Sequence, residues 1–415
     1  MWNNKKQTKP ELLAPAGDLL KLKAAVTYGA DAVYIGGHGF GLRAGSKNFD
    51  IDEMAEGIRF AHERQKRVYV TANIFAHNAD IDSMPVFFRD VQEMGADALI
   101  ISDPGVFSLA RQTVPDMDIH ISTQANNTNF RSAAFWYGLG AKRVVLAREL
   151  TLNEITRISK EVPAVELEAF VHGAMCMSYS GRCLLSSYLS GRDSNRGDCS
   201  QPCRWEYAIA MREKPEEYFE IDEDSHGTYI FNSMDLCMIG HIPELLRAGI
   251  ASFKIEGRVK SAYYVGCIVK AYRKAIDDYA EEPGLYSESI GEYSNEVRKV
   301  SHRPYTTGFY MQKSDEAEVY TGSYRRGCDF IAVVIDYNRE TGFALIEQRN
   351  KFVVGDEIEV VRAVGFNFRQ KVDILVDSEG NAVREAPHPQ QQLRIKLLQP
   401  VSALDMIRRK RDDFE

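Results

Sequence analysis

The chain has 415 residues, is 44% apolar, and sets 51 Lys and Arg against 59 Asp and Glu for a formal net charge of −8. Single cores stop growing near about 250–300 residues, so a large domain plus a small one is expected. The acidic total excludes a surface coated for indiscriminate nucleic-acid binding. No stretch approaches the roughly 20 apolar residues of a membrane helix, so a cytoplasmic protein without membrane contact is expected.

Short β-branched runs fall at residues 11–14, 32–35, 67–74, 98–102, 119–122, 144–146, 167–171 and 251–255. Helical patterns fit between or after them, at 19–28, 51–63, 84–93, 132–137, 152–159 and 262–279. Strand and helix taking turns is the signature of parallel βα units. Eight strands with no G-x-G-x-x-G after the first predict an α/β fold, a (β/α)8 TIM-type barrel over residues 1–285, ahead of an open doubly wound sheet. The longest gap, after the seventh strand, holds a cysteine-rich insertion at 174–240 with an expected hairpin pairing 207–211 with 228–231. An insertion there stands on the C-terminal barrel face, where such folds build active sites. Residues 286–326 read as a linker, and the alternating runs of 327–415 as a small all-β barrel domain.

Five of the seven cysteines gather in the insertion, spaced Cys176-x6-Cys183-x15-Cys199-x3-Cys203-x33-Cys237. In a reducing compartment clustered thiols and an odd total point to metal ligation rather than disulfides. Structural zinc takes paired C-x2–4-C knuckles, which only Cys199 and Cys203 approach, whereas four thiolates from looser loops suit a cubane iron–sulfur cluster. A zinc staple and buried unliganded thiols are the competing readings. Cys267, within the last barrel helix, and Cys328, at a strand start, stand outside the group.

The expected strand ends are polar, carrying Asn73, Asp103, Gln124, Arg148, His172, Lys254, Glu256 and Arg258. Arg148, Lys254 and Arg258 offer cations for an anionic substrate, with Asn73 and Gln124 as hydrogen-bonding partners; His172, Glu256 and Asp103 are candidates for proton transfer. Each has a structural alternative: Asp103 as a helix cap, Glu256 and Arg258 as a rim ion pair, Asn73 and Gln124 as loop hydrogen bonders. His172 has a further option, a hydrogen bond to a metal-bound sulfur. Basic residues thread the insertion (Arg182, Arg192, Arg196, Arg204) and gather at Arg298, Lys299, His302 and Arg303 and at 408–411. Tyr179, Tyr188 and Trp205 are candidates for stacking on an unpaired base.

The stretches ELLAPAGD (11–18), ADAVYIGG (30–37), EAFVHGAMCMSYSGRCLLS (168–186), NRGDCSQPCR (195–204), NSMDLC (232–237) and KIEGRVKS (254–261) resemble the U32 peptidase-like family. The resemblance runs through nearly the whole chain, whose size is similar to the bacterial tRNA 5-hydroxyuridine branch of that family. It implies prephenate-dependent, oxygen-independent hydroxylation of wobble uridine to 5-hydroxyuridine in the tRNA anticodon, with a [4Fe-4S] cluster and prephenate as co-substrate. It also implies Cys176, Cys183, Cys199 and Cys237 as cluster ligands; the extra thiol, Cys203, is the alternative fourth. Some relatives work in pairs, which implies a paralogous U32 protein as a partner. The alternatives are the collagenase-like peptidase of the older family label, with Cys176 and His172 as a thiol dyad, and a non-catalytic RNA-binding module with a structural metal. Neither H-E-x-x-H nor G-x-S-x-G occurs to support a hydrolase.

Overall fold

The computed structural model describes residues 9–37, 40–41, 48–176, 178–179, 182–202, 222–224, 227–229, 234–311 and 324–411. Seven strands, β1 (Glu11–Pro15), β2 (Ala32–Gly36), β3 (Arg67–Ala72), β4 (Ala98–Ile101), β5 (Asp118–Ile121), β6 (Arg143–Val145) and β7 (Glu166–Ala174), pair in parallel in chain order. In the segment that follows, β8 (Asp222–Asp224) pairs with β9 (Gly227–Tyr229), and β10 (Asp235–Cys237) runs antiparallel to β7. The ring closes at β11 (Ser252–Ile255), which is parallel to both β7 and β1. The expected eight-stranded TIM-type barrel is therefore present. Beyond β10, the short β12 (Tyr305–Thr306) extends the sheet outside the ring.

Helices cover the outer face, so both sides of a strand are buried and its sequence reads as one apolar run. Outward-facing Leu12, Val33, Val70, Leu99 and Ile119 pack under the helices, while inward-facing Leu13, Ala32, Tyr34, Tyr69, Ala98 and Ile100 form a separate inner cluster. Helix starts are set by side-chain caps: Asp18, Asp50, Asp103, Asn129, Thr151 and Ser261 each accept the backbone N–H three residues on. Each such cap stabilises by about 1 kcal/mol. The N-terminal end of the barrel interior is closed by charge. Arg143 pairs with Glu11, Glu166 and fully buried Glu168, and Lys254 Nζ stands 2.6 Å from the Glu168 carboxylate.

Residues 104–113 form the helix that follows β4, led by Pro104. The linker differs from expectation: its first part is a 16-residue helix, Pro283–Arg298, that buries Tyr286, Tyr293 and Val297. In the insertion, residues 207–211 lie outside the described residues, and the strand beside 227–229 is 222–224.

The C-terminal domain is antiparallel. Its strands are β13 (Cys328–Asn338), β14 (Phe343–Gln348), β15 (Phe352–Val353), β16 (Glu357–Val361), β17 (Phe368–Lys371), β18 (Leu375–Val376), β19 (Glu385–Ala386), β20 (Gln392–Lys396) and β21 (Met406–Lys410). Seven of them make one sheet in the order β17-β16-β21-β13-β14-β20-β18, around a core of Ile331, Val334, Ile346, Ile358, Val360, Leu393, Ile395 and Ile407. Gln370, from the edge strand β17, bonds Lys396 and Leu398 near the far edge, which curls the sheet toward closure. The domain docks on the barrel through fully buried Arg408, which reaches Glu359 in its own sheet and Glu296 on the helix Pro283–Arg298. Tyr263 stacks on Phe330, and the Tyr28 hydroxyl donates to the Val361 carbonyl.

Candidate active site

A cavity of about 210 Å³ lies at the C-terminal mouth of the barrel. Bulk water takes about 30 Å³ per molecule, so the space is of small-molecule size and admits no folded polymer. Three of the expected ligands, Cys176, Cys183 and Cys199, line this cavity together with Asn73, Gln124, Arg148, Lys254, Glu256 and Arg258. The Cys183 and Cys199 sulfurs accept backbone N–H groups, from Leu185 and Gln201, each at 3.4 Å.

The insertion is held over the mouth by its own charges. Arg196 forms two hydrogen bonds with Asp80, at 2.8 and 2.9 Å, and donates to the Phe75 carbonyl, while the Asn195 carbonyl accepts from the Phe75 amide. The Arg196 hydrogen bonds hold the Asp80 carboxyl down at about 2. Arg192 pairs with Asp198, and Arg182 donates twice to the Gln124 carbonyl. Arg196 and Arg182 thus anchor the cysteine loop to the barrel, and Arg192 braces it from within.

Arg148 lies over the Phe170 ring, 3.9 Å from its centroid, donates to the Ala174 carbonyl and stands 3.7 Å from Glu256. Arg258 is 3% exposed and donates to Asn48 at 2.9 Å. Glycines make room for it. A Cβ on Gly36 would lie 2.2 Å from Arg258 Nη2, and one on Gly17 would lie 2.2 Å from the Arg258 carbonyl. Glu256 also faces the Tyr34 hydroxyl at 3.5 Å. The polar side of the cavity is an amide and hydroxyl set: Asn73 donates to Ser122 at 3.2 Å and to Gln124 at 2.9 Å, and Ser122 donates to Gln124 at 2.6 Å.

The remaining expected residues sit elsewhere. Asp103 accepts from the Val106 amide as the cap of its helix. His172 is 1% exposed, with Nδ1 3.4 Å from the Tyr272 hydroxyl and Nε2 3.5 Å from that of Tyr305, and it does not line the cavity. Burial pushes its imidazole down to about 3, so it is neutral at physiological pH. Lys254 reaches the cavity wall, but its ammonium is paired with Glu168. Cys237 lies opposite His172 in the β10–β7 register, off the cavity wall, and burial pushes its thiol up to about 11. Cys203, Arg204 and Trp205 lie outside the described residues; Pro202, just before Cys203 in the chain, lines the cavity. Among the described residues no three His, Cys, Asp or Glu side chains are grouped so as to hold one metal ion. Tyr34, Thr71, Ser122, Thr123 and Phe170 also line the cavity. Sequence reasoning missed them; their only signal is position at a strand end.

Barrel, polar mouth and thiol-bearing insertion together define a TIM-type barrel with a candidate site under the loop after the seventh strand. The chain belongs to peptidase family U32: residues 17–319 match the model of that family, and residues 326–408 match that of its C-terminal domain. It is similar to tRNA hydroxylation protein P1 of Bacillus subtilis, 39% identical over 403 residues that cover 97% of this chain and 95% of that protein. It is equally similar to tRNA hydroxylation protein P of Escherichia coli, 39% identical over 421 residues, 91% of this chain and 92% of that one. A more distant relation is the 23S rRNA 5-hydroxycytidine synthase of Escherichia coli, 38% identical over 304 residues, covering 72% of this chain and 45% of that enzyme.

Proposed function

We propose that this protein hydroxylates RNA, converting the wobble uridine of tRNA to 5-hydroxyuridine in a prephenate-dependent reaction, with a [4Fe-4S] cluster held by the insertion. The observation that carries the reading is one small cavity lined by three thiols and two arginines. Near full-length similarity to proteins named for tRNA hydroxylation supports the substrate class.

The donor set suits the cluster. Three soft thiol ligands line one cavity, two of them already accepting amide N–H groups, and the ligands of a four-iron cluster stand further apart than those of a single ion. Cys176, Cys183 and Cys199 would hold it, with Cys203 or Cys237 as the fourth. When bound, such a cluster supplies one-electron redox chemistry. Replacing C5–H of uridine by C5–OH is a two-electron oxidation, so the reaction calls for a redox group beside the base and for a co-reactant that supplies the oxygen and takes up the two electrons.

The protein's own side chains bind and orient. Arg148, its guanidinium braced on Phe170, and Arg258, braced by Asn48, present cations to the carboxylates of prephenate. Asn73, Gln124 and Ser122 offer both donors and acceptors to the edge of one base, splayed out of a single-stranded loop as RNA-modifying proteins require. Glu256, between Arg148 and the Tyr34 hydroxyl, is the residue placed to hold or move a proton. Exposed Tyr188 and half-exposed Tyr179 on the insertion supply stacking surfaces for the flanking nucleotides.

The test is nucleoside analysis of tRNA from a deletion strain: 5-hydroxyuridine and its derivatives disappear and return with the wild-type gene. Unchanged hydroxylation overturns the proposal. Anaerobically purified protein is expected to be brown with about four irons per chain; colourless protein with one zinc would make the metal a staple. Gly36→Ala is expected to push Arg258 aside and lower kcat/KM roughly 10- to 100-fold, about 1.4–2.8 kcal/mol of transition-state stabilisation. Initial rates read at varied prephenate check this, and the loss should fall mainly on the prephenate KM. The peptidase reading has little geometry behind it, since His172 is neutral and its ring nitrogens face tyrosines.

A further inference from the structure

Between the barrel and the C-terminal domain lies a second, larger cleft, of about 1000 Å³, that the proposed chemistry does not use. One wall comes from the end of the helix Pro283–Arg298 and the chain after it, the other from β16, β17 and β21. Arg298, Lys299, Arg325, Arg369 and Lys410 line it against two carboxylates, Glu357 and Glu359. Glu359 is already engaged by buried Arg408 at 2.8 Å and by Lys299 at 3.7 Å, which leaves the cleft basic on a chain of net charge −8. Arg298, Arg325, Arg369 and Lys410 are exposed. A concave basic strip on an acidic protein draws a polyanion to that strip while the remaining surface repels it.

The floor carries a second, independent feature. His302 is 4% exposed and stacks on Tyr305, with ring centroids 4.3 Å apart and planes 7° from parallel. Its Nδ1 stands 2.6 Å from the Arg303 carbonyl, which makes Nδ1 the donor. Its Nε2 is buried and has no hydrogen-bond partner among the described residues. Burial holds the ring below its ordinary pKa, so Nε2 is a bare acceptor whose satisfaction calls for an O–H or N–H donor. Phosphates supply no such group; ribose does.

Register ties the cleft to the active site. Tyr305 on β12 pairs with Asp235 on β10, and Asp235 pairs with Ala174 at the end of β7. Two strand spacings, about 10 Å, therefore separate the cleft floor from the strand that leads to Cys176.

We infer that this cleft is a binding track for an RNA strand, its cations meeting backbone phosphates and His302 Nε2 accepting a hydrogen bond from a ribose 2′-hydroxyl, so that a neighbouring nucleotide reaches the barrel mouth. The inference rests on the RNA-modifying reading and adds to it where the rest of the tRNA is gripped.

The test uses the full chain and tRNA purified from the deletion strain, with binding read by fluorescence anisotropy across a salt series. Arg298→Glu/Arg369→Glu/Lys410→Glu, reversing exposed charges, is expected to weaken binding at least tenfold and to lower the magnitude of the salt slope by about 2–3, since each phosphate contact contributes about 0.7–0.9. Arg64→Glu/Lys142→Glu/Lys160→Glu, three exposed positions away from the cleft, makes the same change in net charge and should change binding much less. His302→Phe is expected to narrow the preference for an anticodon stem-loop in RNA over the same sequence in DNA, with its melting temperature checked against wild type. Equal binding by the triple variant and the control overturns the track, and an unchanged RNA-to-DNA preference in His302→Phe overturns the ribose contact. If wild type restores hydroxylation and the triple variant does so at the same rate, the cleft inference fails while the proposed function stands. If wild type neither binds tRNA nor restores hydroxylation, both fall.

Discussion

Serine in place of Cys176, Cys183 or Cys199 is expected to strip the protein of iron and reduce uridine hydroxylation by well over about 100-fold. The size follows by comparison: losing a group that merely supports a metal ligand costs about 10–100-fold, so losing a ligand costs more. The three thiols line one cavity, so each of the three variants should lose the visible absorbance as well as activity. Cys328→Ala, in the C-terminal sheet and away from the cavity, should keep both. Iron analysis and absorbance on anaerobic protein read the loss without relying on turnover. Full iron occupancy in any of the three serine variants would remove that residue from the ligand set. The same measurement on Cys203→Ser and Cys237→Ser assigns the fourth ligand.

Glu168→Gln is expected to destabilise the fold by about 3–5 kcal/mol, because it leaves Lys254 and Arg143 as buried cations short of a counter-charge. For a chain of this size a cost of that order lowers the melting temperature by roughly 3–6 °C. The pH dependence carries the same signature. Burial alone would raise the Glu168 pKa, but Lys254 and Arg143 together outweigh it and hold the carboxyl at about 2, against an ordinary value of 4.5. The folded state thus binds its proton less readily than the unfolded chain. The stabilisation is present above pH 4.5, is lost as pH falls toward 2, and amounts to about 3 kcal/mol. Urea titrations from neutral to acid pH should show this loss in wild type and a flatter profile in Glu168→Gln. A variant with wild-type stability at pH 7 would mean that the barrel floor does not depend on this carboxylate.

Where the sequence misled, the cause is visible. The helix that begins at Pro283 opens with Pro-Gly, a pair that reads as a turn. Proline is well tolerated at the first helical position, where its missing N–H would have had no partner within the helix. The helix buries Tyr286, Tyr293 and Val297 against the barrel, contacts that no local pattern announces. Asp103 and Lys254 were read as site residues because they are polar at strand ends. The first caps its own helix, and the second meets Glu168, a partner 86 residues away in the chain. Arg196 likewise finds Asp80 across 116 residues and clamps the insertion to the barrel.

The amino-acid sequence by itself determined the eight-strand barrel, its closure order and the place of the cysteine loop after the seventh strand. Those features are written in local periodicity and in chain spacing, which survive without knowledge of neighbours. Only the tertiary structure decided which polar groups face the cavity, which are consumed by buried ion pairs, and that a basic cleft opens where the two domains meet. Those outcomes depend on contacts between residues far apart in the chain, and the free energy of a charge is set by what surrounds it, which no short stretch of sequence contains.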